Sequence, residues 1–77
     1  MNRYYLSFGQ VHTHSVRGIT YDKDCICIIE SESYENARKI AFDTFGDKWC
    51  FLYEETPDMS FFPRGLIILK NKIKKNQ

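Results

Sequence analysis

The chain has 77 residues, which is the size of one small domain and leaves no room for a second. Its formal charge of +1 hides an uneven distribution. Residues 1–69 carry seven basic and ten acidic side chains, a balance of −3, and four lysines follow within residues 70–77. DNA is not an expected partner of such a body, because affinity for phosphates needs a clustered positive surface. We predict a single domain over residues 1–69 and a solvated, flexible Lys-rich tail over residues 70–77.

The sequence predicts no membrane-bound or secreted form. No window approaches the roughly 20 apolar residues that span a membrane, and residues 1–3 lead into a strand-like segment, not a signal peptide. The three cysteines are odd in number, and Cys25 and Cys27 are only two positions apart, which is unlike a disulfide framework. We therefore expect reduced thiols and a cytoplasmic location.

The predicted elements follow in a clear order along the chain. Residues 3–9 alternate in polarity as a first strand, and residues 10–23 are a long polar stretch, either a loop or a hairpin. Residues 24–30 predict an apolar second strand. A helix is predicted from Tyr34, with N-caps among residues 31–33 and Gly46 as the C-cap. Residues 48–53 and 65–70 predict two further strands, separated by a loop that contains Pro57 and Pro63.

This ββαββ order predicts an α+β domain, with a small antiparallel-rich sheet and one helix packed on one face. The residues expected in the core are Tyr4, Leu6, Phe8, Ile26, Ile28, Tyr34, Ala37, Ala41, Phe45 and Phe51. Because one helix covers only one face, the other face is expected to be an exposed apolar patch, which monomeric proteins rarely keep. Pairing with another copy would bury it, so we expect a homo-oligomer.

The His12-Thr13-His14 segment has three interpretations. In an extended segment both imidazoles point to one side, and with Cys25 and Cys27 they suggest a zinc site. Ligand pairs one residue apart chelate poorly, so we predict neither a metal nor a cofactor. The two histidines otherwise donate to a phosphate or stack on a base, or are polar loop residues without a role.

Catalysis is not expected. Histidine, aspartate, serine and cysteine are all present, but no nucleophile elbow, Gly-rich phosphate loop or metallohydrolase motif joins them.

Residues 61–65, FFPRG, are the second unusual cluster. Two rings beside a guanidinium suit a phosphorylated base, and a hydrophobic loop anchor with an exposed arginine explains the cluster equally well.

Six segments together resemble a family of small tailed-phage proteins. They are YYLSFGQ at residues 4–10, HTH at 12–14, DKDC at 22–25, AR at 37–38, FG at 45–46 and DMSFFPRG at 58–65. That family includes sponges that sequester the nucleotide signals of bacterial antiphage defence, notably the cyclic dinucleotides of CBASS. The resemblance covers the chain to about Leu69 and leaves the Lys-rich tail outside.

The resemblance implies a phage immune-evasion protein in the host bacterial cytoplasm. It would be a dimer or tetramer that binds a cyclic oligonucleotide, such as cyclic GMP-AMP, without cleaving it. A cyclic dinucleotide is nearly two-fold symmetric, and a site across a two-fold interface presents the same side chains to both halves. The ligand-binding residues expected are Gln10, His12, Thr13 and His14 as hydrogen-bonding groups, Arg64 and then Arg17 on phosphate, and Phe62 and Tyr5 as stacking rings.

Two other functions remain open from the sequence. An acidic body with an aromatic patch also suits a protein–protein inhibitor of a host or defence enzyme. A small structural part of a virion is the third alternative.

Asp22 and Asp24 either accept hydrogen bonds from a guanine edge or cap a loop.

Overall fold

The computed structural model describes residues 1–69 and contains one helix and two small sheets. In chain order the elements are β1 (Asn2–Ser7), β2 (His14–Val16), β3 (Ile19–Tyr21), β4 (Cys25–Ser31), α1 (Tyr34–Phe45), β5 (Phe51–Tyr53), a 3-10 turn (Met59–Phe61) and β6 (Gly65–Ile68). The predicted α+β class is confirmed. The predicted Lys-rich tail lies outside the described residues. Within residues 1–69, no helix is long and apolar enough to cross a membrane.

The main sheet has the strand order β5-β1-β4-β6. The first strand, β1, is antiparallel to both of its neighbours, whereas β6 runs parallel to β4. The predicted ββαββ order therefore holds for this antiparallel-rich sheet and its helix. Residues 10–23, which the sequence left as a loop or a hairpin, contain the separate hairpin β2–β3.

Strand β5 is shorter than the strand predicted for residues 48–53. It begins at Phe51, not at residue 48, because the preceding residues are held by bonds to other elements. The Trp49 indole N–H donates to the Gly46 carbonyl at 3.0 Å, and the Cys50 N–H donates to the Ser7 carbonyl at 2.7 Å. Residues 48–50 are thus the connection from α1 to the sheet edge.

Alternation along the strands divides the side chains between two faces of the sheet. The helix face carries Tyr4 opposite Ile29, and Leu6 opposite both Cys27 and Leu52. These side chains pack against α1 through Ala37, Ala41 and Phe45, and all of them are buried. The other face, which we call the second face, carries Tyr5, Ser7, Ile26, Ile28, Phe51, Tyr53, Leu66 and Ile68.

Residues 54–64, which we call the crossover, lie across this second face. Both β5 and β6 run parallel to β4 but occupy opposite edges, so the chain must return across the sheet between them. Such connections are almost always right-handed. The β4–α1–β5 connection crosses the sheet from β4 to the β5 edge, and the β5–β6 connection crosses it in the opposite direction, to the β6 edge. If both connections are right-handed, they lie on opposite faces of the sheet. Phe61 and Phe62 accordingly line a groove with Ser7 of the second face.

The second face is not the fully exposed apolar patch that the sequence predicted. Ile26 and Ile28 are 0% and 2% exposed, although they lie opposite the helix. The cover is incomplete, because Phe51, Leu66 and Ile68 remain 59%, 47% and 38% exposed. The assignment of Phe51 to the core was therefore wrong. Phe51 lies on the edge strand β5 and points away from α1.

Helix α1 begins and ends where local chemistry favours it. Ser33 is the N-cap, and its hydroxyl accepts a hydrogen bond from the Asn36 N–H at 3.1 Å. At the other end Gly46 has a φ of 67°, a conformation that side chains with a Cβ rarely adopt. Both predicted caps are confirmed. The Asn36 amide also donates to the Ser31 hydroxyl at 2.9 Å, which ties the helix start to β4.

Replacing Ser33 with Ala should lower the free energy of unfolding by about 1 kcal/mol, because a backbone N–H of the first turn loses its acceptor. Ser33→Asp is the matched control, since a carboxylate can accept the same bond and favours the helix N-terminus. Urea unfolding followed by circular dichroism measures both variants. Equal losses for the two variants would contradict this role of the hydroxyl.

Candidate functional site

A groove of about 270 Å³ lies between the crossover and the second face. We call it the Gln10 groove, and its lining residues are Ser7, Gly9, Gln10, Lys23, Cys50, Phe51, Tyr53, Phe61 and Phe62. It brings together two residues predicted for the site, Gln10 and Phe62. Lys23, Tyr53 and Phe61 were not among the predicted ligand-binding residues, although Phe61 belongs to the FFPRG cluster. The adjacency of Phe61 to Phe62 was a signal, whereas the placement of Lys23 depends on the turn between β3 and β4.

Local backbone geometry delivers Gln10 to this groove. Gly9 follows β1 with a φ of 74°, which turns the chain sharply after the strand. A Cβ at this position would lie 3.3 Å from the Cys50 sulfur, so a larger residue meets both backbone strain and a close contact. On the opposite side, the Lys23 ammonium lies 3.0 Å from an Asp24 carboxylate oxygen and is half exposed.

The chemistry of the Gln10 groove combines stacking surfaces with a few polar groups. The rings of Phe51 and Tyr53 lie 5.9 Å apart, and Phe61 is 73% exposed. Planar bases stack on such rings, an amide pairs with base edges in two directions, and an ammonium attracts phosphate. This groove can therefore hold one base with a nearby anionic group.

Arg64 joins the crossover to the turn that precedes β4. Its Nη1 donates to the Thr20 carbonyl at 2.8 Å and to an Asp22 carboxylate oxygen at 3.2 Å. Its backbone N–H donates to the Asp24 carbonyl at 2.8 Å. Arg64 is thus engaged in fixing the crossover, and its predicted contact with phosphate remains a prediction.

Asp22 is a loop-capping residue in the structure, one of the two roles that the sequence left open. Its carboxylate accepts the Asp24 N–H at 3.0 Å. That hydrogen bond, followed by the Arg64 guanidinium, lowers the pKa of the Asp22 carboxyl below its ordinary value. The carboxylate is consequently ionised at neutral pH, where it pairs with Arg64.

His14 is packed between rings on the helix side. Its ring lies 5.8 Å from that of Phe8 and 5.1 Å from that of Phe45, measured between centroids. Its Nε2 lies 2.7 Å from the Lys48 carbonyl oxygen and donates to it. This histidine fastens the β2–β3 hairpin to the end of α1, and these contacts place it away from the Gln10 groove.

The other predicted residues of the 10–23 stretch lie along the hairpin. His12 and Thr13 precede β2, and Arg17 occupies the turn with a φ of 54°, followed by Gly18 at 80°. Two successive positive φ values are typical of a tight type I′ hairpin turn. None of these residues lines the Gln10 groove, so the structure does not bring the whole predicted set into one pocket.

A second, larger groove of about 750 Å³ lies at the start of the crossover. We call it the acidic groove, and its lining residues are Leu52, Tyr53, Glu54, Glu55, Thr56, Pro57, Asp58, Phe61 and Phe62. Phe62 therefore forms part of the wall of both grooves. Tyr5, the other predicted stacking residue, instead lines a depression of about 470 Å³ with residues 2–4 and Glu54.

The cysteines differ in environment. Cys25 and Cys27 are buried on the helix face, and burial raises the pKa of both thiols, that of Cys27 to about 12. A protonated thiol is a poor metal ligand and a poor nucleophile. Cys50 is exposed at the Gln10 groove. Within residues 1–69, no three His, Cys, Asp or Glu side chains come together in a group that could hold a metal ion.

Comparisons with known proteins add no relative. No family model matches the chain, and neither the curated proteins nor the solved structures include a significant match. The class that the geometry defines is a small α+β protein with two grooves beneath an aromatic crossover.

Replacing Arg64 with Ala should lower the free energy of unfolding by about 1 kcal/mol, because a hydrogen bond to a backbone carbonyl and a partly exposed ion pair are lost together. Arg3→Ala is the matched control, since the Arg3–Glu30 pair, at 3.3 Å, is more exposed. Its loss should be a few tenths of a kcal/mol. Chemical unfolding of the two variants in parallel gives the difference, and equal effects would contradict the bracing role of Arg64.

Asp22→Asn should cost stability at pH 7 but not in acid. The folded-state pKa of Asp22 lies below its unfolded value, so its ionisation stabilises the fold above about pH 4. That contribution is lost as the pH falls through the lowered pKa. Thermal unfolding of both proteins from pH 7 to pH 2 should show melting curves that converge in acid. A gap that stays constant over this range would contradict the assignment.

Proposed function

We propose that this protein binds a cyclic oligonucleotide signal and sequesters it without cleaving it. In this proposal it is a phage immune-evasion protein that acts in the host bacterial cytoplasm and inhibits CBASS-type defence. The observation that carries the proposal is the Gln10 groove, where Gln10, Lys23 and Phe62 combine an amide, an ammonium and a ring. The resemblance of six segments to phage nucleotide sponges supports the choice of ligand class.

The groove's size favours one base per copy. Sites for whole small molecules usually measure about 300–1,000 Å³, and the Gln10 groove, at about 270 Å³, lies just below that range. A cyclic dinucleotide has two bases related by a near two-fold axis. Two copies related by a two-fold axis would supply one groove to each base. The site we propose is therefore shared within a homo-oligomer, a dimer or tetramer.

The exposed apolar side chains support the same assembly. Phe51, Leu66 and Ile68 all lie on the second face and remain substantially exposed. Facing copies would bury them beside the two grooves, so ligand binding and self-association would stabilise each other. In each copy, the crossover supplies Phe61 and Phe62 to the walls of both grooves.

Sequestration needs affinity and abundance, not turnover. A nanomolar dissociation constant corresponds to about −12 kcal/mol, which excess protein would convert into a low concentration of free signal. Stacking on Phe61 and Phe62 and hydrogen bonds to Gln10 contribute to binding and require no chemical step. We accordingly propose a binding protein and not an enzyme.

A second candidate is a protein–protein inhibitor of a host or defence enzyme. One observation favours it: Phe51 and Phe61, which are 59% and 73% exposed, line the same groove. Aromatic residues are enriched at the centres of protein interfaces. In this alternative the crossover binds a polypeptide directly, and nucleotides have no effect on the protein.

The test is a thermal-shift and native mass panel of the pure protein against cyclic dinucleotides, cyclic trinucleotides and ADP-ribose derivatives. At a ligand concentration 100-fold above Kd, linkage predicts about 2.7 kcal/mol of stabilisation and a rise in Tm of about 10 °C or more. The recovered nucleotide should be intact, and the bound species should contain more than one copy of the chain. No shift with any of these nucleotides would contradict the proposal and favour the inhibitor.

Two substitutions localise the binding. Phe62→Ala should weaken binding of the stabilising nucleotide by about fivefold or more, because stacking on one ring contributes about 1–3 kcal/mol. Gln10→Ala should weaken it by several-fold, because a hydrogen bond contributes about 1 kcal/mol. Phe42→Leu is the matched control, since Phe42 is a partly exposed ring that packs on Trp49 at 5.1 Å, away from the groove. Equal affinity in all three variants would remove the Gln10 groove from the site.

A further inference from the structure

The main sheet has two edges, and the structure protects them differently. Strand β5 forms one edge and β6 forms the other. Tyr34 of α1 reaches the β5 edge, where its hydroxyl donates to the outward-facing Leu52 carbonyl at 3.3 Å. Among residues 1–69, β6 pairs with β4 and with no other strand. Because an unpaired strand edge is a template for another strand, β6 is where a further strand can join the sheet.

The backbone groups of β6 alternate between β4 and the free edge. Leu69 donates its N–H to the Ile28 carbonyl at 2.9 Å, and Ile67 occupies the equivalent position two residues earlier. In a parallel ladder, alternate residues bond to the same neighbour, so the residues between them face the other way. Leu66 and Ile68 therefore each direct an N–H and a carbonyl towards the free edge.

The side chains of β6 do not block this edge. The strand, Gly65–Ile68, contains no charged residue and no proline, which are the features that usually protect an open edge. Leu66 and Ile68 are 47% and 38% exposed on the second face, whereas Ile67 is partly buried on the helix face. An apolar strand with free backbone groups favours an equally apolar strand as its neighbour.

Strand β6 is complementary to a second copy of itself. In an antiparallel pair, hydrogen-bonded and non-hydrogen-bonded residue pairs alternate. When Leu66 of one copy opposes Ile68 of the other, a two-fold axis passes between the two Ile67 residues, and both outward-facing residues of each copy form hydrogen-bonded pairs. This register gives about four interstrand hydrogen bonds. A shift by two residues either way leaves one such pair within β6, so the first register is favoured.

We propose that β6 pairs antiparallel with β6 of a second copy, with Leu66 opposite Ile68, so that two four-stranded sheets become one continuous sheet. The side chains of Leu66 and Ile68 then lie side by side on the second face, which covers apolar surface that one copy leaves exposed. The inference rests on the proposed function for the homo-oligomer alone, and not for the nucleotide. Because this contact uses the sheet edge, copies can still face each other through the second face, and the two contacts together make a tetramer.

Amide hydrogen exchange of the nucleotide-free protein tests the pairing. In a sample that sediments as an oligomer, the Leu66 and Ile68 amides should exchange at least about tenfold more slowly than in a sample diluted until it sediments as a single chain, because interstrand hydrogen bonds protect them. Fast exchange of both amides in the oligomer would overturn the proposal, as would slow exchange in the single chain or the absence of any oligomer up to about 1 mM protein. Nucleotide binding is read separately in the thermal-shift panel, so the pairing and the binding can fail independently.

Disulfide trapping reads the register, in a Cys50→Ser background that removes the exposed native thiol. Ile67→Cys should link two copies on mild oxidation, because the Cα atoms of opposed residues in a non-hydrogen-bonded pair lie about 4.5 Å apart, within the range of a disulfide. Leu66→Cys is the matched control, since its equivalents lie diagonally, about 7–8 Å apart, and should link at least several-fold less. Val11→Cys, at a residue that is 83% exposed outside the sheet, measures chance collisions. Equal yields from all three variants would overturn the pairing, and a higher yield from Leu66→Cys would overturn the register.

Discussion

The return of the chain from β5 to β6 is the constraint on which the rest of the structure depends. Two parallel strands at opposite edges of one sheet cannot be joined by a tight turn. Helix α1 already covers one face, so the return passes over the other. A segment of only eleven residues, 54–64, makes this passage with a single 3-10 turn and no helix. Ile26 and Ile28 at the centre of the second face are buried, and the crossover borders two grooves that share Phe61 and Phe62.

The contacts that hold this crossover explain why several polar residues have structural roles. Arg64 ties its end to the hairpin and to Asp22, and Asp58 caps its turn. On the other side of the sheet, His14 holds the hairpin to α1 through Phe45 and Lys48. These anchors keep the crossover over the second face, where the two grooves differ in charge. One presents an amide and an ammonium, and the other presents three carboxylates.

The sequence predicted the local features well because local chemistry determines them. Ser33 and Gly46 bound the helix, and the alternation at residues 3–9 identified β1. Phe51 was misplaced because alternation does not say which face an edge strand turns to α1. The parallel pairing of β4 with β6, and hence the crossover, depends on long-range register that no local pattern encodes. For the same reason, the predicted site combined residues that the fold separates. Gln10 and Phe62 line the Gln10 groove, whereas His14 packs against Phe45 of α1.

In the proposed function, the Gln10 groove, and not the hairpin, binds the nucleotide. The most direct measurement is NMR titration of 15N-labelled protein with cyclic GMP-AMP, followed by mapping of the shifted amides and side-chain signals. We expect saturable shifts at Gln10, Lys23 and Phe62, with little change at the hairpin turn around Arg17. Shifts confined to His12, Thr13 and Arg17 would contradict the assigned groove, and an unchanged spectrum at millimolar nucleotide would contradict binding of this ligand altogether.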